Sequence, residues 1–287
     1  MSARQLEISI NLKSNEDSNY FLRSLWAELR QTFGKCAWQY SPRKDGEKKR
    51  VYFGYVDIGI EATTLGVSIS YMQKGVIEKI FIEEVSGMIS KEVKNKIFDS
   101  VHQAIIHRNN LKNYQFQSKI ESNRGAIGNY NSLYFRLFVV DSKTNCISFK
   151  VKGFDEFDAA TESRKTLVKI LDFLSICTNA AFVSISSSIC DEDIDQFKKD
   201  NEEVFFEDFD WMDNHPRIGD YLALWKSQKD FINNILAGDI RLNHPLIRAS
   251  SHFHDAQKIL FQNSITNNST EFSSVLLVSA LEVATEL

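Results

Sequence analysis

Hydrophobic and polar positions alternate from the first residues onward. "QLEISINL" sets Leu6, Ile8, Ile10 and Leu12 against polar partners, the period-two pattern of a half-buried strand. "NEDSNYFLRSLWAELRQTFG" then changes period. Behind polar capping residues, Phe21, Leu22, Leu25, Trp26, Leu29 and Phe33 recur at helical spacing, and Gly34 closes the run. "RVYFGYVDIGI", "TLGVSISYM" and "VIEKIFIEE" read as three strands. "SKEVKNKIFDSVHQAIIHR" reads as a second amphipathic helix, with Ser90 as its cap and Val93, Ile97, Val101 and Ile105 on one face.

The pattern partly recurs. "YQFQSKI", "SLYFRLFVV" and "CISFKVK" predict three further strands, a long helix covers about 154–177, and "FVSISSS" predicts a short strand. Runs of adjacent strands between helices imply an α+β fold with a largely antiparallel sheet and packed helices, rather than a doubly wound parallel one. No residue-level repeat accompanies the recurring order of elements. Between Cys190 and Asp213 eleven acidic residues face two lysines, which marks a connector. Beyond it the chain reads as helices only: "RIGDYLALWKSQKDFINNILAG", "HPLIRASSHFHDAQKILFQ" with Pro245 at the first helical position, and a terminal run. The expected domains are an α+β sensing or binding domain over 1–190, an acidic connector over 191–216, and the start of a smaller all-α domain over 217–287.

At 287 residues, with 43% hydrophobic side chains and 21 Phe, the chain can bury a sizeable core. No apolar run approaches the ~20 residues that span a bilayer, and the N-terminus has no signal-peptide pattern, so a cytoplasmic location and no membrane partner are expected. The four cysteines are scattered without a C-x-x-C pair, which excludes a zinc framework or a disulfide scaffold and leaves reduced thiols. The net charge of −4 hides an asymmetry. Residues 1–152 carry 23 Lys+Arg against 15 Asp+Glu, whereas 153–287 carry 11 against 23. The first half is thus the one suited to a polyanion.

Phosphate-loop, dinucleotide, nucleophile-elbow and zinc-protease motifs are absent. Asp191, Asp193, Asp195 and Glu202 fall at positions 1, 3, 5 and 12 of a calcium-loop template. The turn position holds Gln196 where Gly is needed, so a solvated acidic connector is the better reading and no metal or cofactor is expected. Arg248 and His254 share an R-x5-H spacing, and an Arg–His pair can hold a phosphate and move a proton; the competing reading is an ordinary helix surface. The most basic stretch, "SPRKDGEKKRVYF", carries Arg43, Lys44, Lys48, Lys49 and Arg50 ahead of Tyr52, Phe53 and Tyr55. These five cations are the candidate nucleic-acid contacts, read as a loop entering a strand; a solvated hairpin loop whose following aromatics face the core is the alternative.

The last stretch, "HPLIRASSHFHDAQKILFQNSITNNSTEFSSVLLVSALEVATEL", with its core of Ala280, Leu281 and Glu282, resembles the opening helices of HEPN domains at the C-terminal end of bacterial defence and toxin-like proteins. "GFDEFDAATESRKTLVKILDFLSICT" is similar to the helix that precedes such domains. In that family an Arg and a His four to six residues apart, late in the domain, cleave RNA without a metal when two protomers pair. Arg248 and His254 come too early to match, so the resemblance assigns no catalytic residue to this chain. It implies the N-terminal part of a longer protein cut within its helical domain, a sensing region that recognises RNA or a phage component. The terminal run is apolar nearly all round, so burial on several sides and a homodimer through the C-terminal helices are expected. The alternative is a complete, non-enzymatic interaction or dimerisation protein.

Overall fold

The computed structural model describes residues 5–34, 37–45, 50–57, 64–71, 75–86, 90–190, 217–237, 244–262 and 267–284. It divides into two compact units, Met1–Lys112 and Asn113–Leu287.

The first unit runs β1 (Gln5–Ser9), α1 (Asn15–Phe33), β2 (Ala37–Asp45), β3 (Arg50–Asp57), β4 (Thr64–Tyr71), β5 (Ile77–Ser86) and α2 (Lys91–His107). Its five strands form one sheet in the order β1-β5-β4-β3-β2, each neighbouring pair antiparallel. Helix α1 starts where Ser14 Oγ accepts the Asp17 N–H at 3.0 Å and ends at Gly34, whose φ of 77° an L side chain would strain. Ser90 caps α2 in the expected way, accepting the Val93 N–H. Leu25 and Leu29 of α1 and Ile97 and Val101 of α2 are buried in one core with Leu65, Val67 and Ile69 of β4. Ser18 ties helix to sheet: its hydroxyl accepts the Ile77 N–H at 3.0 Å.

Strand β2 is absent from the expected elements. It contains Pro42, which removes a ladder donor and reads as a break. The sheet accommodates it because β2 is an edge strand whose register slips between Tyr40 and Arg43.

The second unit runs β6 (Lys112–Ser122, its first residue closing the preceding unit), β7 (Tyr130–Asn131), β8 (Phe135–Val139), β9 (Thr144–Gly153), α3 (Glu156–Thr178), β10 (Phe182–Cys190), β11 (Arg217–Ile218), β12 (Tyr221–Leu222), α4 (Lys226–Ala237), α5 (Pro245–Gln262) and α6 (Asn267–Ala284). Its main sheet has the order β10-β6-β9-β8-β7. In both units a first strand pairs with the last strand of a meander and a helix follows, so the recurrence seen in the sequence is a recurrence of topology.

One face of the second sheet builds a core. Tyr114, Phe116 and Ile120 of β6 and Ile147, Phe149 and Val151 of β9 meet Leu167, Ile170 and Leu174 of α3. Asp155 caps α3 by accepting the Asp158 N–H, and the Asp158 carboxylate returns to the Phe154 N–H at 2.9 Å, a reciprocal arrangement close to a capping box. Asn145, fully buried, accepts the Ile127 N–H and donates to the Ile127 and Phe138 carbonyls, so its burial leaves its polar groups satisfied.

Two expectations differ from the structure. The stretch after the connector opens with the β11–β12 hairpin, turned at Gly219 with φ 57°, before α4 begins. The compact division falls after Lys112 rather than near residue 190. Ile232 and Ile235 of α4 and Ile247 of α5 belong to the same core as the second sheet, so these helices close an α+β unit. Helix α6 lies along α5 through small side chains, with Ser273 and Ala280 buried and Ser273 Oγ donating to the Ala256 carbonyl at 3.3 Å.

Gly153 is a position of close approach. A Cβ there would lie 2.6 Å from the Ala159 backbone nitrogen and 2.8 Å from its Cα. Gly153→Ala should therefore cost about 1–3 kcal/mol through forced displacement of the start of α3. A chemical denaturation series should read this as a lower midpoint; an unchanged midpoint would contradict the packing.

Candidate functional site

Arg43 and Lys44 lie on β2 and Arg50 on β3, while Lys48 and Lys49 fall outside the described residues. Arg43 stands opposite Tyr52, Lys44 opposite Val51, and Arg50 opposite Asp45. On the next strand these rows continue to Ser68, Ile69 and Ser70 respectively. Ile69 is a core residue. Strand alternation thus sets Lys44 in a different row from Arg43 and Arg50, and an acid shares the row of Arg50. The pattern expected as a loop is the end of an edge hairpin.

His254 is neither a helix-surface residue nor half of a working Arg–His pair. It is 2% exposed. Its Nδ1 lies 2.7 Å from Asp172 Oδ1 of α3, itself buried, and its Nε2 lies 2.9 Å from the Phe182 carbonyl at the start of β10. Both ring nitrogens are thus engaged within the core. The Phe182 N–H also donates toward Nε2 at 3.3 Å. An imidazole with both nitrogens committed inside the core has none left for a substrate. His244 sits just ahead of α5, where its carbonyl accepts the Arg248 N–H at 3.3 Å, and His252 is half-buried on the same helix.

The acidic stretch 191–213 lies outside the described residues. Among the described residues no group of three His, Cys, Asp or Glu side chains could hold a metal, and no helix is long and apolar enough to cross a membrane. Burial pushes the Cys177 thiol up to about 12 and raises that of Cys146, so both stay neutral and poorly nucleophilic at neutral pH. A pocket of about 40 Å³ lies between residues 127–130 and 221–224, with the buried Lys229 ammonium 4.5 Å from the Tyr130 ring centroid. That space suits a few water molecules and is far below the ~300 Å³ or more of ordinary ligand sites.

Among the described residues, three exposed lysines share one face of the second sheet. Lys119, Lys150 and Lys152 are exposed beside core residues of opposite parity. Their spread over 34 positions hides them in the sequence; the signal that finds them is the alternation within "YQFQSKI" and "CISFKVK".

The molecule is thus defined as an α+β protein of two sheet-and-helix units without an assembled catalytic constellation among its described residues. No family model, no curated protein and no solved structure matches the chain.

Removing one partner of the Asp172–His254 pair leaves the other buried and unsatisfied. His254→Ala or Asp172→Ala should each destabilise by about 3–5 kcal/mol, and replacing both by apolar residues should cost much less than the two together. Urea unfolding of the four proteins checks this; additive single and double losses would show that the pair is not coupled.

Proposed function

We propose that this chain is the non-catalytic sensing region of a bacterial antiphage-defence protein of the HEPN ribonuclease type, acting in the cytoplasm and recognising RNA. The observation that supports the non-catalytic half is the commitment of His254 to Asp172 and Phe182, which removes the Arg248–His254 pair from use. The RNA half is supported by the basic balance of residues 1–152 and by Arg43, Lys44 and Arg50 at the edge hairpin of the first unit. The family is supported by the resemblance of the last 44 residues and of the α3 sequence.

The test uses the purified chain with labelled single-stranded RNA. The RNA should be retained in a salt-dependent complex and remain intact, and Arg248→Ala should change neither result. Cleavage that disappears in Arg248→Ala would overturn the reading.

A second reading, a non-enzymatic interaction protein that pairs through its last helix, is favoured by one observation. Val275, Val278 and Leu281 of α6 are 63%, 54% and 68% exposed, an apolar stripe at helical spacing. If that stripe is a dimer seam, Val278→Glu with Leu281→Glu should convert a dimer to a monomer in light scattering. A mass unaffected by the double substitution would remove this reading.

A further inference from the structure

Among the described residues the two five-stranded sheets end in the edge strands β1, β2, β7 and β10. Three of these are blunted against further pairing. Strand β7 has two residues. Strand β1 is five residues long and carries Glu7 at its centre, and β2 carries Pro42, Arg43, Lys44 and Asp45. Short length, proline and charge are means by which a sheet edge avoids a second chain. Strand β10, "FVSISSSIC", uses none of them: it spans nine residues, Phe182–Cys190, without a charge or a proline.

Its one irregularity is a bulge. The register with β6 skips Ile185, passing from Ser184 opposite Ile120 to Ser186 opposite Lys119. Ser118 pins this point, its Oγ lying 2.9 Å from both Ser184 Oγ and the Ser186 carbonyl oxygen. The bulge disrupts the ladder locally and leaves Ser186 to Cys190 in regular register. Ser184 to Ser188 are exposed without interruption, and Ile185 is 56% exposed. Side chains alternate along a strand, so both faces are open to solvent here. Among the described residues no strand pairs with the outer edge. Backbone N–H and C=O groups on such an edge are a template for another extended chain.

A second copy of the same strand fits this edge. An antiparallel contact about a two-fold axis sets the strand against itself, so any charge near the axis would meet its like. Strand β10 has no charge with which to repel its copy. With the axis at Ser188, the regular stretch from Ser186 to Cys190 pairs with itself over its whole length, and both bulges fall outside it. We propose that β10 joins β10 of a second copy in this way, so that two second units share one continuous sheet. This seam is distinct from the α6 stripe and does not depend on RNA recognition. So short a contact buries less than the ~1,200 Å² at which standard specific interfaces begin, and the association is therefore weak and concentration-dependent.

The test is sedimentation of the full chain from about 1 μM to about 1 mM, the range in which weak contacts are read. The mass should rise toward that of a dimer with concentration. Ser188→Lys and Ser188→Glu, each alone, should weaken the dimer about tenfold or more, because like charges then meet across the axis. An equimolar mixture of the two should dimerise at least as well as the parent, which a folding defect would not produce. Hydrogen exchange of the unaltered chain should slow in peptides covering 182–190 as concentration rises. A chain that stays monomeric throughout overturns the proposal. So does a dimer that survives both single substitutions; if Val278→Glu/Leu281→Glu abolishes that dimer, the seam is α6.

Discussion

The second unit depends on a buried imidazole–carboxylate contact. Asp172 comes from α3, His254 from α5, and the second imidazole nitrogen lies against the backbone of Phe182 at the start of β10. The consecutive elements α3 and β10 are thereby fixed at one buried point to α5, 72 or more residues further along the chain. In a low-dielectric interior such a contact discriminates between packings, because any arrangement that separates the partners leaves polar groups without hydrogen bonds. It also settles the chemistry of the region. A histidine committed in this way orients helices and has no free nitrogen for a substrate.

Around that point the arrangement follows from how little of each element must be hidden. Helix α3 buries a broad face, and α4 and α5 extend the same core, so the second sheet is covered on one side. On the other side Lys119, Lys150 and Lys152 are exposed, while Ser148 accepts from Gln115 Nε2. An antiparallel sheet can keep one wet face because its ladder bonds are satisfied within the sheet and its side chains alternate.

Much of this was legible in the residues. Capping by Ser90, closure of α1 at Gly34, Pro245 opening α5 and the buried stripes of β4 and β6 are local consequences of side-chain chemistry and backbone sterics. What misled were elements whose identity depends on neighbours. Pro42 looks like a break until β2 is known to be an edge with a bulge. "RIGDY" looks like the approach to a helix until Leu222 is seen bonding to Ala126 and Gly128. The boundary near residue 190 followed the composition, yet the helices beyond it share a core with the strands before it. Composition reports what a segment is made of and not what it packs against.

The sequence by itself determined the period of each element, the ends of most helices, the α+β class and the excess of basic residues in the first half. These are set within a few residues, by torsional preference, capping and the requirement that one face be apolar. The tertiary structure alone decided that two sheets form, that His254 is interior, and that Lys119, Lys150 and Lys152 share a surface. Those facts rest on contacts between residues tens of positions apart. Which of the many possible long-range pairings is made depends on burial and hydrogen-bond satisfaction over a whole unit, a sum that no local pattern contains.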